Sequence, residues 1–174
     1  GDIMPLYPFQ QRILDQTAAF NRVAYYLDMG LGKTFVGGEK AVQLGARSLL
    51  VVCQKSKIVD WVEHLVNVCG IDTYDLTYKD EFQRFFQCAT AEWIDGFSIP
   101  VAGVVNYDLI FRRPQFLNLE NFTLMLDESS QIQNEKAKRT KFILKMNPLN
   151  VILLSGTPTS GKYENLWAQL NLIG

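Results

Sequence analysis

The sequence predicts an α/β fold, namely a doubly wound, mainly parallel sheet with helices on both faces. The chain has 174 residues, of which 48% are hydrophobic and 20% charged, so it can form the core of one domain but not of two. Its apolar runs, such as 48–53 and 151–154, are short, whereas a membrane helix needs about 20 consecutive apolar residues, so we expect no membrane-spanning segment and no membrane partner. These runs alternate with segments of helical periodicity, which is typical of a parallel sheet covered by helices.

The predicted elements follow one another from the N-terminus. Helices are predicted where apolar side chains recur every three or four residues, and strands where apolar residues form a short continuous run. Gly45 marks the end of the second helix. The predicted helices span residues 8–20, 33–44, 58–66, 82–86, about 135–146 and 164–172. The predicted strands span residues 23–27, 49–53, 101–105, 122–126 and 151–154.

The overall charge does not indicate a nucleic-acid-binding protein. The 17 Lys and Arg residues offset 18 Asp and Glu residues, which leaves a formal net charge of −1. Any basic surface therefore has to be local. The densest basic run is 136–141, and Lys55, Lys57, Arg112 and Arg113 are comparable candidates for contacts with phosphate groups.

The cysteines and the histidine do not suggest a metal site. Cys53, Cys69 and Cys88 form no Cys-x-x-Cys pair, so we expect reduced thiols and a cytoplasmic protein. His64 shares the polar side of its predicted helix with Asp60 and neighbouring polar residues, and we expect it to be solvated.

A glycine-rich loop lies between the first predicted strand and the second predicted helix, with the sequence Asp28-Met-Gly-Leu-Gly-Lys-Thr34. Small residues let backbone N–H groups point at an anion, and the N-terminus of the helix adds its dipole. Lys33 is predicted to reach the β- and γ-phosphates of ATP, and the Thr34 hydroxyl to bind Mg²⁺. The residues predicted to bind the nucleotide in this loop are Met29, Gly30, Leu31, Gly32, Lys33 and Thr34.

The strand predicted at 122–126 is followed by two adjacent carboxylates, Asp127 and Glu128. Ligands of parallel sheets bind at the carboxyl ends of the strands, so we expect this pair at the same edge as the phosphate loop. Asp127 is the predicted carboxylate on the Mg²⁺ side, and Glu128 is predicted to position or activate the attacking water. Together with Lys33, they are the predicted catalytic residues of a nucleoside triphosphatase.

Three further segments stand in a fixed order around the loop and the acidic pair. Gln10 follows a Pro-Phe pair, the acidic pair continues into Ser129-Ser130, and Ser155-Gly-Thr-Pro158 follows the last predicted strand. Over residues 6–172 this ordered set resembles the first RecA-like lobe of superfamily 2 helicases. The most similar branch is that of the Snf-type double-stranded DNA translocases and chromatin-remodelling ATPases.

The resemblance implies roles for residues that the spacing alone does not assign. Gln10 would read the adenine ring, and the branch tolerates a residue such as Leu27 where phosphate loops usually have glycine. Motifs that contact DNA or couple the nucleotide state to DNA movement would contain Lys55, Ser56, Asn106, Tyr107, Ser155, Gly156 and Thr157.

The main departure from the family pattern is Ser129-Ser130, because the family has Ala or Ser followed by His after the acidic pair. That histidine helps connect the nucleotide site to the nucleic-acid motifs. The departure therefore concerns coupling and not the chemistry at Asp127 and Glu128. Replacement of family residues in this way is more typical of a compact bacterial or phage-encoded member of the family, and we would then expect the protein in the bacterial or host cytoplasm.

The resemblance implies the ATP-binding lobe of an ATP-dependent DNA translocase or helicase, with double-stranded DNA as the favoured partner. ATP would close this lobe, residues 1–174, against a second RecA-like lobe that supplies an arginine to the active site. We therefore expect this chain alone to be nearly inactive. The alternatives are the motor lobe of a restriction-type enzyme, a non-hydrolysing ATP-binding scaffold, and a small-molecule kinase, which would need neither Gln10 nor Ser155–Pro158.

Overall fold

Six parallel strands form a single sheet in the computed structural model, which describes residues 8–27, 32–92, 99–132, 134 and 136–156. The strands are β1 (Arg22–Tyr26), β2 (Ser48–Cys53), β3 (Thr73–Asp75), β4 (Ala102–Asn106), β5 (Phe122–Asp127) and β6 (Asn150–Ser155). Their order across the sheet is β1-β6-β5-β2-β4-β3, and every neighbouring pair is parallel. The predicted α/β fold with a parallel sheet is therefore confirmed.

The described residues form six α-helices, one before β1 and five between successive strands. They are α1 (Pro8–Gln16), α2 (Lys33–Leu44), α3 (Ile58–Asn67), α4 (Lys79–Thr90), α5 (Tyr107–Ile110) and α6 (Lys138–Lys145). Short 3₁₀ turns span Lys55–Lys57, Pro114–Asn118 and Ser129–Ile132. In the part of the chain that the structure describes, no helix is long and apolar enough to cross a bilayer.

The predicted elements agree closely with the observed ones. Each of the five predicted strands is present with ends that differ by at most one residue, and α2 has the predicted bounds. The first helix ends earlier, at Gln16, and the basic helix begins later, at Lys138. Strand β3 was not predicted, because it has only three half-buried residues and pairs with β4 alone. The helix predicted at 164–172 lies outside the described residues.

The sheet is buried on both faces, because successive residues of a strand point to opposite sides. In β2, Leu50 and Val52 contribute to one core, while Leu49, Val51 and Cys53 contribute to the other. One core is covered by α1, α2 and α3 and the other by α4, α5 and α6. This arrangement confirms the doubly wound prediction.

The aromatic residues of α4 form part of a core, as the helical periodicity predicts. Phe82 and Phe85 are buried, and Phe86 packs against the same cluster. The rings of Phe82 and Phe116 meet edge to face, with their centroids 5.2 Å apart. These rings are therefore not available to stack on bases.

Two glycines let α2 pack closely against the sheet and against α3. A Cβ atom on Gly37 would lie 2.8 Å from Leu154 Cδ1 and 2.9 Å from Met125 Sδ. A Cβ atom on Gly38 would lie 2.8 Å from His64 Nε2. Close contact between this helix and its neighbours is therefore the reason for both glycines, and this outweighs their poor helix propensity.

The prediction that His64 is solvated is wrong. The residue is buried, and its ring packs edge-on against Phe35 with a centroid distance of 4.7 Å. Its polar neighbours on α3, Asp60 and Glu63, are exposed as expected. The sequence pattern was misleading because Gly38 leaves space on α2 for an imidazole that faces the next helix. Burial lowers the pKa of His64.

Protonation of His64 should therefore destabilise the fold. The folded pKa lies below the ordinary value of about 6.5, so the unfolded chain binds the proton first. The free energy of unfolding should fall as the pH drops through about 6.5 towards the folded pKa, by up to about 1.4 kcal/mol per pH unit. Urea denaturation at a series of pH values would measure this slope.

His64→Gln is the control, because His64 is the only histidine in the sequence. The difference in unfolding free energy between the wild type and this variant should change with pH between about 7.5 and about 5. If the two curves run parallel over that range, then His64 does not titrate differently in the folded and unfolded chains.

Candidate functional site

The carboxyl edge of the sheet brings together residues that are far apart in the sequence. Strand β6 lies between β1 and β5, and the register pairs Tyr26 with Ser155 and Leu154 with Asp127. Three chain segments therefore leave the sheet side by side. They lead to the phosphate loop after β1, the acidic pair after β5 and the Ser-Gly segment after β6.

Lys33 forms ion pairs with both carboxylates of the acidic pair. Its Nζ atom lies 3.0 Å from Asp127 Oδ1 and 3.3 Å from Glu128 Oε2. Burial alone would lower the pKa of Lys33, but the attraction of Asp127, and then that of Glu128, outweighs it, so the pKa is raised. The three predicted catalytic residues thus form one cluster, in which the lysine stays protonated.

The backbone before α2 determines where Lys33 lies. Gly32 has a φ of 73°, in the left-handed region that favours glycine, and α2 begins at the next residue. Gln10 of α1 is buried against this glycine, since a Cβ atom at Gly32 would collide with Gln10 Nε2. The predicted adenine-reading residue is therefore in contact with the phosphate loop.

Asp127 is held from two further directions. The indole N–H of Trp61 donates a hydrogen bond of 2.8 Å to Asp127 Oδ2, and the hydroxyl of Tyr107 donates one of 2.6 Å to the main-chain oxygen of Asp127. Both aromatic side chains are buried. Tyr107 was predicted as a coupling residue, and the structure places its hydroxyl directly against the acidic strand end.

Trp61 is a site residue whose contact with Asp127 the sequence did not indicate. Its spacing places it on an apolar face of α3, and the family resemblance associates it with the motif after β2 that contacts the DNA backbone. A buried indole N–H usually finds an acceptor, and β2, which precedes α3, pairs with β5, which ends at Asp127. That combination is the signal that could have pointed to this contact.

Glu128 has an unusual backbone conformation. Its φ is 51°, which costs a residue other than glycine about 1 kcal/mol. The carboxylate accepts hydrogen bonds at Oε1 from the hydroxyls of Ser130, at 3.3 Å, and Ser155, at 3.4 Å. Ser130 occupies the position where the family resemblance would place histidine. A short polar link therefore connects Glu128 to the end of β6.

A cleft of about 280 Å³ opens beside this cluster. It is lined by Gly32, Lys33, Thr34, Phe35, Lys57, Asp60, Trp61 and Asp127. A larger open cleft of about 640 Å³ lies at the opposite edge of the sheet, near Arg22 and Asn121, and contains none of the predicted site residues. The smaller cleft is therefore the candidate site.

The cleft has oxygen donors that could bind a magnesium ion together with a phosphate group. Asp127 and Thr34 both line it and offer oxygen atoms, which Mg²⁺ prefers. Among the described residues, no group of three or more His, Cys, Asp or Glu side chains could hold a metal ion. An ion held here would therefore need water or phosphate oxygens as additional ligands, which is usual for Mg²⁺.

The other predicted contact residues lie along the same edge. Lys55 and Ser56 are exposed in the 3₁₀ turn after β2, and Asn106 ends β4, where the register pairs it with Cys53. Gly156 follows the end of β6. The predicted site residues Met29, Gly30, Leu31 and Thr157 lie outside the described residues.

The structure argues against Arg113 as a phosphate contact. Its guanidinium group donates hydrogen bonds to the main-chain oxygens of Leu76 and Thr77 and lies 4.6 Å from the centre of the Phe82 ring. Arg113 therefore joins two segments of this lobe.

Comparison with known proteins adds an independent finding. The family model described as the SNF2-related domain matches residues 27–174. The mouse SWI/SNF-related matrix-associated actin-dependent regulator of chromatin subfamily A member 1 is 30% identical over 162 residues, which cover 84% of this chain and 14% of the mouse protein. The ISWI chromatin-remodeling complex ATPase ISW1 of Saccharomyces cerevisiae is 25% identical over 162 residues, covering 88% of this chain and 14% of the yeast protein.

The fold is also similar to that of solved structures. The Sulfolobus solfataricus SWI2/SNF2 ATPase core in complex with dsDNA superposes with a TM-score of 0.75 at 21% sequence identity, covering 97% of this chain and 36% of that chain. This similarity agrees with the predicted RecA-like fold. The chain spans about a seventh of the length of the two curated relatives.

Proposed function

The chain belongs to the SNF2-related domain family, and from that premise we propose that it is the ATP-binding lobe of an ATP-dependent double-stranded DNA translocase. The observation that carries this proposal is the cluster of Lys33, Asp127 and Glu128 beside the N-terminus of α2. A lysine, a helix N-terminus and two carboxylates at one sheet edge are among the groups that enzymes use to hydrolyse a nucleoside triphosphate.

In this proposal Lys33 changes partners when the nucleotide binds. Its ammonium group would leave Glu128 and contact the β- and γ-phosphates, because a phosphate group offers more negative charge than one carboxylate. Asp127 and the Thr34 hydroxyl would hold Mg²⁺, which neutralises charge on the phosphates when it is bound. Gln10, packed against Gly32, would select adenine.

Release from Lys33 would leave Glu128 free to position the attacking water. Its Oε1 atom is already oriented by the hydroxyls of Ser130 and Ser155, so the other carboxylate oxygen can accept a proton from water. Because Ser155 ends β6 and Gly156 follows it, the same contacts would connect Glu128 to the motif at Ser155 that is expected to couple the nucleotide state to DNA movement. Two serines would thus take over the link that histidine supplies in the family pattern.

Double-stranded DNA is the proposed partner at the same edge. The exposed turn Lys55–Lys57 and the basic run 136–141 supply positive charge where the strands end, although the chain as a whole has a net charge of −1. Support comes from the archaeal ATPase core of the same fold, which was solved in complex with dsDNA. Contacts of this kind act mainly on phosphates and weaken as salt increases.

A second RecA-like lobe is part of the proposal, because the cluster needs an arginine for the transferring phosphate. Several arginines of this chain are engaged elsewhere. Arg22 contacts main-chain oxygens at the opposite sheet edge, Arg113 joins segments within the lobe, and Arg139 pairs with Asp108 at 3.3 Å.

Lys33→Ala should abolish most of the affinity for ATP. The lysine is proposed to make charge-assisted hydrogen bonds to the phosphates, so its loss should weaken binding about 10- to 100-fold. Equilibrium titration of the chain with a fluorescent ATP analogue would measure this. Lys55→Ala is the control, because Lys55 is exposed in the proposed DNA-binding turn and should leave ATP affinity unchanged. Equal affinities of the wild type and Lys33→Ala would contradict the assignment.

Glu128→Gln should separate binding from hydrolysis in a protein that carries both lobes. The amide keeps the shape of the side chain but cannot accept the proton of the attacking water, so turnover should fall at least about 10²-fold while ATP still binds. Single-turnover hydrolysis would measure the chemical step. Glu63→Gln, at an exposed position on α3, is the matched control. Turnover within a few-fold of the wild type would exclude Glu128 as the catalytic carboxylate.

This chain alone should bind ATP but hydrolyse it very slowly, because the arginine of a second lobe is worth about 10³–10⁵ in rate in related enzymes.

In a two-lobe protein, double-stranded DNA should stimulate turnover more than single-stranded DNA does. Steady-state phosphate release with each kind of DNA would test both statements. Robust DNA-stimulated turnover by residues 1–174 would contradict the two-lobe proposal.

A further inference from the structure

We propose that Trp61 is a positioning residue for the nucleotide site, whose indole N–H fixes the orientation of the Asp127 carboxylate. The inference rests on the proposed function, because it concerns the carboxylate that would serve Mg²⁺. It gives Trp61 a role in nucleotide binding, whereas the family resemblance associates it only with the DNA-contacting motif after β2.

The hydrogen bond has the features of a strong interaction. The distance from Trp61 Nε1 to Asp127 Oδ2 is 2.8 Å, and both residues are buried. A bond from a neutral donor to a carboxylate is charge-assisted, and the low dielectric of the interior strengthens it. The same bond satisfies an indole N–H that would otherwise be buried without an acceptor.

The two carboxylate oxygens of Asp127 have different partners. Oδ2 accepts the indole N–H, while Oδ1 lies 3.0 Å from Nζ of Lys33, and both Lys33 and Asp127 line the cleft. A half-turn of the carboxylate only exchanges two equivalent oxygens, but a rotation out of its observed plane would break the bond to Trp61 and move the other oxygen away from Lys33. The hydrogen bond from Tyr107 to the main-chain oxygen of Asp127 fixes the backbone, so the indole controls the remaining freedom of the side chain.

The indole ring itself cannot easily move. A Cβ atom on Gly37 would lie 3.4 Å from Trp61 Cη2, so the ring sits directly against α2. His64 also meets the ring edge-on, with a centroid distance of 6.3 Å. Helix α2 also begins with Lys33, so the element that carries the phosphate-binding lysine holds the ring that orients Asp127.

Trp61 also stands close to the proposed DNA-binding turn. Helix α3 begins at Ile58, directly after the turn Lys55–Lys57, and Trp61 lies within its first turn. Lys57 and Trp61 line the same cleft. A shift of this turn would therefore move the donor of the Asp127 hydrogen bond. Core packing alone would need the ring but not its N–H group, and this difference can be tested.

The test compares nucleotide binding with and without Mg²⁺. The probe is adenylyl-imidodiphosphate, a non-hydrolysable ATP analogue, and calorimetry gives its dissociation constant in excess Mg²⁺ and in excess chelator. Trp61→Phe removes the N–H group and keeps an aromatic ring. A benzothienylalanine placed at position 61 keeps the full bicyclic shape and replaces only the N–H by sulfur. Leu65→Val is the control, because Leu65 is buried on α3 and is apolar.

In the wild type, Mg²⁺ should strengthen binding of the analogue. Residues that orient a metal ligand typically change metal affinity about 10- to 100-fold when altered, so both replacements of Trp61 should reduce the gain from Mg²⁺ about tenfold. Binding in chelator should change less than about twofold, since the N–H group acts through Asp127. In an Asp127→Ala background, which has no acceptor for the indole, removal of the indole N–H should have no further effect on the gain from Mg²⁺.

Other outcomes would overturn the inference. An unchanged gain from Mg²⁺ in the benzothienyl protein would show that the N–H group does not orient Asp127, even if Trp61→Phe fails to fold. An equal loss in Leu65→Val would show that packing of α3, and not the hydrogen bond, is responsible. If the wild type binds no analogue at all, the proposed function fails and this inference fails with it.

Discussion

The ion pairs of Lys33 with Asp127 and Glu128 are the interaction on which the rest of the structure depends. Two carboxylates at the end of a buried strand are costly to desolvate unless a cation lies between them. The parallel sheet supplies that cation, because β1, β6 and β5 end at one edge and the loop after β1 leads to Lys33. Gly37 lets α2, which begins with Lys33, pack closely against the sheet, and Gly38 lets it pack closely against α3.

The same contacts explain how a ligand could change the state of the lobe. Lys33 is paired with both carboxylates, so a phosphate group has to compete with Glu128 for the lysine, and Mg²⁺ beside Asp127 would add positive charge to the cluster. Each acid has separate restraints. Asp127 is held by Trp61 and Tyr107, and Glu128 by Ser130 and Ser155. A change of partner at Lys33 would thus act on α3 through one acid and on β6 through the other.

Most of the fold could be predicted because continuous apolar runs indicate buried parallel strands. The strand β3 was missed because three half-buried residues give no such run. The juxtaposition of Lys33, Asp127 and Glu128 could also be predicted, since strand ends meet at one edge. The contacts that the sequence did not predict are made by side chains of α3 that reach a neighbouring helix or strand. His64 fills the space above Gly38, and the Trp61 N–H reaches Asp127, and neither contact follows from the helical periodicity of α3.

The most direct test of the central claim is a crystal structure of this chain with Mg²⁺ and a non-hydrolysable ATP analogue. The account predicts that the phosphates lie at the N-terminus of α2, that Lys33 Nζ has moved from Glu128 to the phosphate oxygens, and that Asp127 keeps its bond to Trp61 while facing the ion. A nucleotide bound in the larger cleft at the opposite sheet edge, or a Lys33 that still bridges both carboxylates beside a bound nucleotide, would contradict it.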